Sequence, residues 1–403
     1  MLRKKIKLVF SKIMRHSIYC VCSIIPVYKK CAFFCSFEGI YNDNPKRISE
    51  VLHQENPNIA IYWAISDKCR EEIPTYIHKI PYGSPFCWVL ATCSRVVVDN
   101  YFGMPRYMAK MGSITAYVQK LFCRKRKGRL GISTWHGTPL KRIEIDLVPE
   151  KDKMNFFSCS DYLIAGCDYT RKCLSSASKD VIPIKMYGTP RNDIFFNKDI
   201  NVMEVRKKLG LETEKKVVLY APTFRDEIRF SGQEQMEEID IEELLRAINK
   251  RMNGEFILVL RVHHVVLKSL NNKKLFEKFE GILVDGNLYD DMAEYLSCTD
   301  VLITDYSGSM FDFALTKKPC FLFSPDRDHY EKIERGFYMD YDTLPFPKAY
   351  NFGDLIKQIE EFDEQDYVSK VEKFLEEIGN VEDGHSAERI VEDINCFWNT
   401  GKK

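Results

Sequence analysis

Short runs of continuous apolar, largely β-branched residues recur along the chain, and stretches with apolar positions at helical spacing lie between them. In the first half, 59–65, 95–99, 162–165 and 184–187 read as strands, with helices over 45–54, 85–92 and 168–176. The second half repeats the scheme with strands at 217–221, 256–262, 282–284, 301–304 and 320–323. Its helices fall at 241–252, 267–279 and 292–297, with one more starting at Ser309. Strands that run apolar without alternation are those covered on both faces, so alternating β and α elements argue for parallel, doubly wound sheets. The expected fold class is α/β, with two Rossmann-like lobes joined near 192–201 and an interdomain cleft. A chain of 403 residues exceeds one comfortable core, which agrees with two lobes. The reading divides the chain into a basic segment over 1–34, an N-terminal lobe over 35–197 and a C-terminal lobe over 198–403.

Charge changes this picture only locally. The net charge of +1 gives no global attraction to nucleic acid, and none is expected as a partner. Arg3, Lys4, Lys5, Lys7, Lys12, Arg15, Lys29 and Lys30 crowd the start of the chain, and no acid precedes Glu38. Leu2, Ile6, Val9, Phe10, Ile13 and Met14 share one helical face opposite most of these cations, a pattern suited to lying on an anionic membrane surface. The apolar run over 18–27 is too short to span a bilayer and contains Pro26. The 14 cysteines are scattered without zinc-ligand spacing, so free thiols in a reducing compartment are expected, with no structural metal. A second basic cluster, Arg124 to Arg129, suits either anionic contacts or a solvated loop.

In doubly wound sheets, ligands bind beyond the carboxyl ends of the strands, which directs attention to the residues just after each run. After Val301–Thr304 come Asp305, Tyr306, Ser307, Gly308 and Ser309, a small-residue turn into a helix that fits either an anion site or an ordinary capped helix. Asp312 falls in that helix's first turn, where it offsets the dipole or meets substrate hydroxyls. His136 stands in a tight loop with Gly137, Thr138 and Lys141, which suits a general base beside an anion. Thr223 and Arg225 follow the strand at 217–221 as a hydroxyl and a guanidinium able to hold phosphate. Arg261 and His263 close the next strand on one side; His263 is read as a phosphate or leaving-group contact, not a metal ligand. The turn GTPRND at 188–193 is read as a hinge.

Taken together and in order, TWHGTPLK, GTPRND, YAPTFRD, RVHH, LITDYSGSMFDFAL and RGFYMDY resemble the CDP-glycerol glycerophosphotransferase family over roughly residues 35–380. The resemblance implies a GT-B arrangement with an N-terminal acceptor lobe and a C-terminal CDP-donor lobe, attached peripherally to the cytoplasmic face of the membrane. It implies transfer of glycerol phosphate from CDP-glycerol to a lipid-linked saccharide or polyol-phosphate acceptor, with release of CMP and no cofactor. By motif, His136 and His263 are the implied catalytic residues. Thr223, Arg225, Arg261, Thr304, Ser307, Gly308, Ser309, Asp312, Arg335 and Gly336 fall to the donor, and Gly137, Thr138 and Lys141 to the acceptor or phosphate loop. The chain departs from the family pattern at His264, Gly308, Thr189 and 344–347. CDP-ribitol as donor, a sugar-nucleotide glycosyltransferase on the same scaffold, and a silent membrane-associated binding module are the alternatives.

Overall fold

The computed structural model describes residues 21, 24–100, 127–147, 157, 160–197, 202–211, 214–223, 239–262, 272–327, 330 and 336–402. Two compact units emerge. The first comprises Met1–His136, Glu144–Asp193 and Val381–Lys403, and the second Gly137–Ile143 and Ile194–Asn380.

The first unit is built on a seven-stranded sheet of β1 (Tyr28–Cys35), β2 (Ala60–Ile65), β3 (Ile77–Pro81), β4 (Ser94–Asp99), β5 (Leu130–Ser133), β6 (Tyr162–Ile164) and β7 (Ile184–Lys185). The spatial order is β3-β2-β1-β4-β5-β6-β7, and every pairing is parallel. The interior strand β1 pairs Phe33 with Tyr62 on one side and Val97 on the other. Residues 28–34 therefore belong to the heart of the sheet, which corrects their assignment to a basic surface segment. Lys29 and Lys30 are exposed at the strand's entry, while Cys31 to Cys35 are buried. A strand covered on both faces shows no alternation, so the sequence CAFFC reads only as an apolar run.

The end of the chain also belongs to the first unit rather than with the C-terminal lobe to which 198–403 was assigned. Helix Ser386–Thr400 buries Ile390, Val391, Ile394 and Phe397 in the same core as Phe34, Trp63 and Ile132. Its N-terminus is capped from the GTPRND turn, where Asp193 accepts the backbone N–H groups of Ser386 and Ala387 at 3.0 and 2.9 Å. Burial pushes the Asp193 carboxyl above the usual range, and those two bonds oppose the shift. Gly188, at φ +92°, sits where a Cβ would meet the Ser386 hydroxyl at 2.1 Å. The turn read as a hinge, after which the chain passes from the first unit to the second at Asp193, also clamps this helix.

The second unit carries a six-stranded parallel sheet of β8 (Lys216–Tyr220), β9 (Phe256–Leu260), β10 (Leu283–Asp285), β11 (Val301–Thr304), β12 (Cys320–Phe323) and β13 (Lys348–Ala349). Its order, β10-β9-β8-β11-β12-β13, repeats the doubly wound plan of the first sheet. In each sheet the order reverses once, between β1 and β4 and between β8 and β11, and the crevice beyond those strand ends is where such folds take ligands. The sequence pattern leaves β1, β3, β5 and β13 unpredicted, together with the helices Val202–Lys208, Phe352–Glu360, Glu364–Glu377 and Ser386–Thr400. Among the described residues no helix is long and apolar enough to cross a membrane.

Candidate active site

At the reversal point of the first sheet, the residues after β1, β4 and β5 lock together. Asn100 is fully buried; its side chain donates to the Ser36 hydroxyl at 3.0 Å and accepts the Phe37 N–H at 2.9 Å. The Ser36 hydroxyl in turn donates to Asn42 at 2.6 Å. The main-chain carbonyl of Asn100 faces His136, whose Nδ1 lies 3.2 Å away. A carbonyl can only accept, so Nδ1 carries the hydrogen, and in the neutral ring Nε2 carries the lone pair. His136 is half-buried, tilted against the Trp135 ring at 4.0 Å and the Phe37 ring at 5.8 Å. In its neutral form an imidazole so oriented at a sheet's ligand-binding edge is equipped to take a proton through Nε2.

Arg191 and the start of helix Asp43–Glu55 hold the backbone of this loop. Arg191 donates to the His136 carbonyl at 2.9 Å and to the Asp43 carboxylate at 2.7 Å. Neither Arg191 nor Asn100 was singled out for chemistry in the sequence. Arg191 stood inside a quoted motif, whereas the contribution of Asn100 to His136 is a main-chain carbonyl, which leaves no mark in a residue pattern.

In the second unit, Asp305 joins the two strand ends at the reversal point. Both its carboxylate oxygens accept the Thr223 N–H, at 2.9 and 3.1 Å, and one also accepts the Tyr306 N–H at 2.5 Å. The Thr304 hydroxyl donates to the Ala221 carbonyl at 2.7 Å, making Thr304 a buried strut between β11 and β8. Beyond them the Ser307 hydroxyl accepts from the Ser309 N–H at 3.3 Å and the Ser309 hydroxyl at 2.9 Å. Its own hydrogen is then the one left to donate elsewhere. Helix Ser309–Ala314 follows, with Gly308 as its N-cap and the buried Asp312 in its first turn.

The segment 137–143 and the residues 336–338 form a short antiparallel ribbon in the same unit. Lys141 bridges to Phe337, the Arg142 N–H donates to the Gly336 carbonyl at 2.8 Å, and the Tyr338 N–H donates to Leu140 at 2.8 Å. Thr138 runs so close to the Ser307–Ser309 turn that a Cβ on Gly308 would lie 2.8 Å from its carbonyl oxygen. The φ and ψ of Gly308, −59° and −15°, are open to any residue, so the close approach and not the backbone explains the glycine. Lys141 lies with its ammonium 5.9 Å from the Tyr330 ring centre.

The structure thus brings Thr138, Lys141, Gly308, Ser307, Ser309 and Gly336 into one neighbourhood of the second unit. Arg261 is placed otherwise. Its guanidinium donates to the carbonyls of Gly286, Tyr289 and Asp290 at 2.7, 2.6 and 3.0 Å and stacks on Tyr295, so it shapes the loop after β10 rather than standing ready for a donor phosphate. Arg225, His263 and Arg335 lie outside the described residues.

A family profile described as CDP-Glycerol:Poly(glycerophosphate) glycerophosphotransferase matches residues 17–395. The chain is 32% identical to the teichoic acid glycerol-phosphate transferase of Staphylococcus aureus over 416 residues, covering 96% of this chain and 99% of that protein. It is 30% identical to the teichoic acid poly(glycerol phosphate) polymerase of Bacillus subtilis over 400 residues, covering 94% of this chain. It spans only 50% of that polymerase's length. Among solved structures, the wall teichoic acid polymerase TagF superposes with a TM-score of 0.78 at 27% identity, covering 100% of this chain and 98% of that one.

Proposed function

The chain belongs to the CDP-glycerol:poly(glycerophosphate) glycerophosphotransferase family, and on that premise we propose that it transfers glycerol phosphate from CDP-glycerol to a hydroxyl of a lipid-linked or polymer acceptor, releasing CMP, in the synthesis of a teichoic-acid-like polymer. The acceptor oxygen attacks the phosphorus bearing the glycerol, the bond from that phosphorus to the CMP phosphate breaks, and the hydroxyl proton passes to Nε2 of His136. The observation that carries this reading is the Nδ1 contact of His136 to the Asn100 carbonyl, because it presents the other nitrogen as a base. The Ser307 hydroxyl and the ribbon bearing Thr138 and Lys141 suit the donor's diphosphate, since phosphoryl transfer needs positioning and charge stabilisation more than covalent chemistry. His263, Arg225 and Arg335 complete the donor side on the family pattern.

Glycerol is preferred over ribitol in this proposal on the strength of the glycerol-phosphate relatives. Incubation of the protein with CDP-glycerol or CDP-ribitol and a lipid-linked disaccharide, read by CMP release and product mass, tests it. CMP and a product heavier by one glycerol phosphate are expected. Release of CMP with CDP-ribitol alone would transfer the assignment to the other polyol, and no release with either would end it.

We further propose that the basic segment at the start of the chain, which lies outside the described residues up to position 20, holds the protein on the cytoplasmic face of the membrane. The position of β1 dictates where a truncation must stop. Removal of residues 1–20 spares Tyr28–Cys35, whereas a cut after residue 30 would enter the interior strand β1. The truncated protein is expected to remain in the supernatant with vesicles containing anionic lipid, while the full chain sediments. Equal sedimentation of the two would refute the anchor.

A further inference from the structure

His136 is carried on a backbone that does not hold its shape unaided. Trp135 has φ +53° without being glycine, and Gly137 follows at φ +116°. A non-glycine residue in the left-handed region costs on the order of 1–3 kcal/mol and persists where its surroundings over-determine it. Both carbonyls of the bend are held. Asn44 donates through Nδ2 to the Trp135 carbonyl at 3.2 Å, and Arg191 donates through Nη1 to the His136 carbonyl at 2.9 Å. The two holding residues are themselves tied. The Arg191 N–H donates to Oδ1 of Asn44 at 3.0 Å, Arg191 Nη1 reaches Oδ2 of Asp43 at 2.7 Å, and Oδ1 of Asp43 accepts the Asn44 N–H at 2.6 Å. The Arg191 and Asp43 side chains are only 12% and 8% exposed, so solvent and salt screen their attraction weakly.

We propose that Arg191, locked by Asp43 and Asn44, is a positioning residue for the base: it fixes the peptide of His136 so that Nδ1 meets the Asn100 carbonyl and Nε2 is presented to the acceptor hydroxyl. The inference rests on the reading of His136 as the base, and it assigns to the GTPRND turn a part in catalysis besides clamping the last helix. Here one guanidinium nitrogen serves the carboxylate and that carbonyl together, a geometry that a lysine, with its point charge on a flexible stem, reproduces poorly.

The test observes His136 directly. In the full chain labelled with ¹⁵N at histidine, the His136 signals are identified by their loss in His136→Ala, and the tautomer is read from the long-range ¹H–¹⁵N pattern. The native protein is expected to show protonated Nδ1 and unprotonated Nε2, and Arg191→Gln to shift His136 toward a mixture of tautomers. Arg191→Lys, which keeps the charge, serves as the second variant should Arg191→Gln fail to fold, and it should show a smaller shift in the same direction. Turnover should fall about 10²-fold in Arg191→Gln while the donor KM stays within about 2-fold, and the same change in a His136→Ala background should cost nothing further. Unchanged His136 signals in a folded Arg191 variant, or an equal loss of turnover in both backgrounds, overturn the proposal. The spectral result stands apart from the chemistry. If His136→Ala retains turnover, the reading of His136 as base fails, and the response of the His136 signals to Arg191 still decides the positioning.

Discussion

Replacement of His136 by alanine is expected to lower transfer by roughly 10²–10⁴-fold, the usual contribution of a positioned general base, while donor binding changes little. The separation of the two effects follows from where the side chain sits. His136 is half-buried at the ligand edge of the first sheet, and its Nδ1 contact goes to a main-chain carbonyl of that same unit. The groups that suit a donor diphosphate, Ser307, Ser309, Thr138 and Lys141, all belong to the second unit and keep their geometry without the imidazole. The Asn100 carbonyl loses one partner, a cost of about 1–3 kcal/mol if water does not replace it. Single-turnover measurement with CDP-glycerol beside calorimetric titration of the donor checks both halves. Turnover within a few-fold of the native rate would remove the base assignment, and a donor affinity that collapses with the turnover would make His136 a binding residue instead.

The sequence makes β8 to β12 of the second unit legible because their boundaries coincide with abrupt changes of residue type. Val301–Thr304 and Cys320–Phe323 agree with the observed strands residue for residue. β1 escaped because its buried half directly follows Lys29 and Lys30, which read with the basic start of the chain, and an apolar pentad can serve as strand, helix or surface segment equally well. The site divides along a similar line. Motifs single out residues by type, and they led to His136 and to the turn after β11. They could not show that the Thr304 hydroxyl is bonded to Ala221 or that the Arg261 guanidinium is bonded to three carbonyls, because both partners are main-chain atoms brought close only by the fold. Gly308 shows the same limit from the other side. Its departure from the family pattern is visible in the sequence, but its reason, the Thr138 carbonyl a Cβ would strike, is tertiary.

Asp305 escaped for a related reason, since a turn rich in serine and glycine draws attention to hydroxyls and a helix start, and its substitution carries the second large effect. Its carboxylate is fully buried and accepts one N–H from the loop after β8 and one from its own turn. Those strands flank the point where the order of the second sheet reverses, so Asp305 sets the spacing of the two lips of that crevice. Asp305→Ala leaves both N–H groups without this acceptor, and with hydrogen bonds to a charged group worth about 1.5–3 kcal/mol each, a loss of roughly 3–6 kcal/mol is expected. Asp305→Asn keeps the shape and one acceptor oxygen but places a donor amide against an N–H, so an intermediate loss of about 1–3 kcal/mol should follow. Urea unfolding followed by circular dichroism orders the three proteins; a native midpoint in Asp305→Ala would sink the account. Donor affinity should fall in the same order, because Ser307 and Ser309 follow Asp305 directly and a preorganised phosphate site loses its advantage once its supports move. A fall in stability without any fall in donor affinity would keep Asp305 as a strut and remove the turn after β11 from the donor site.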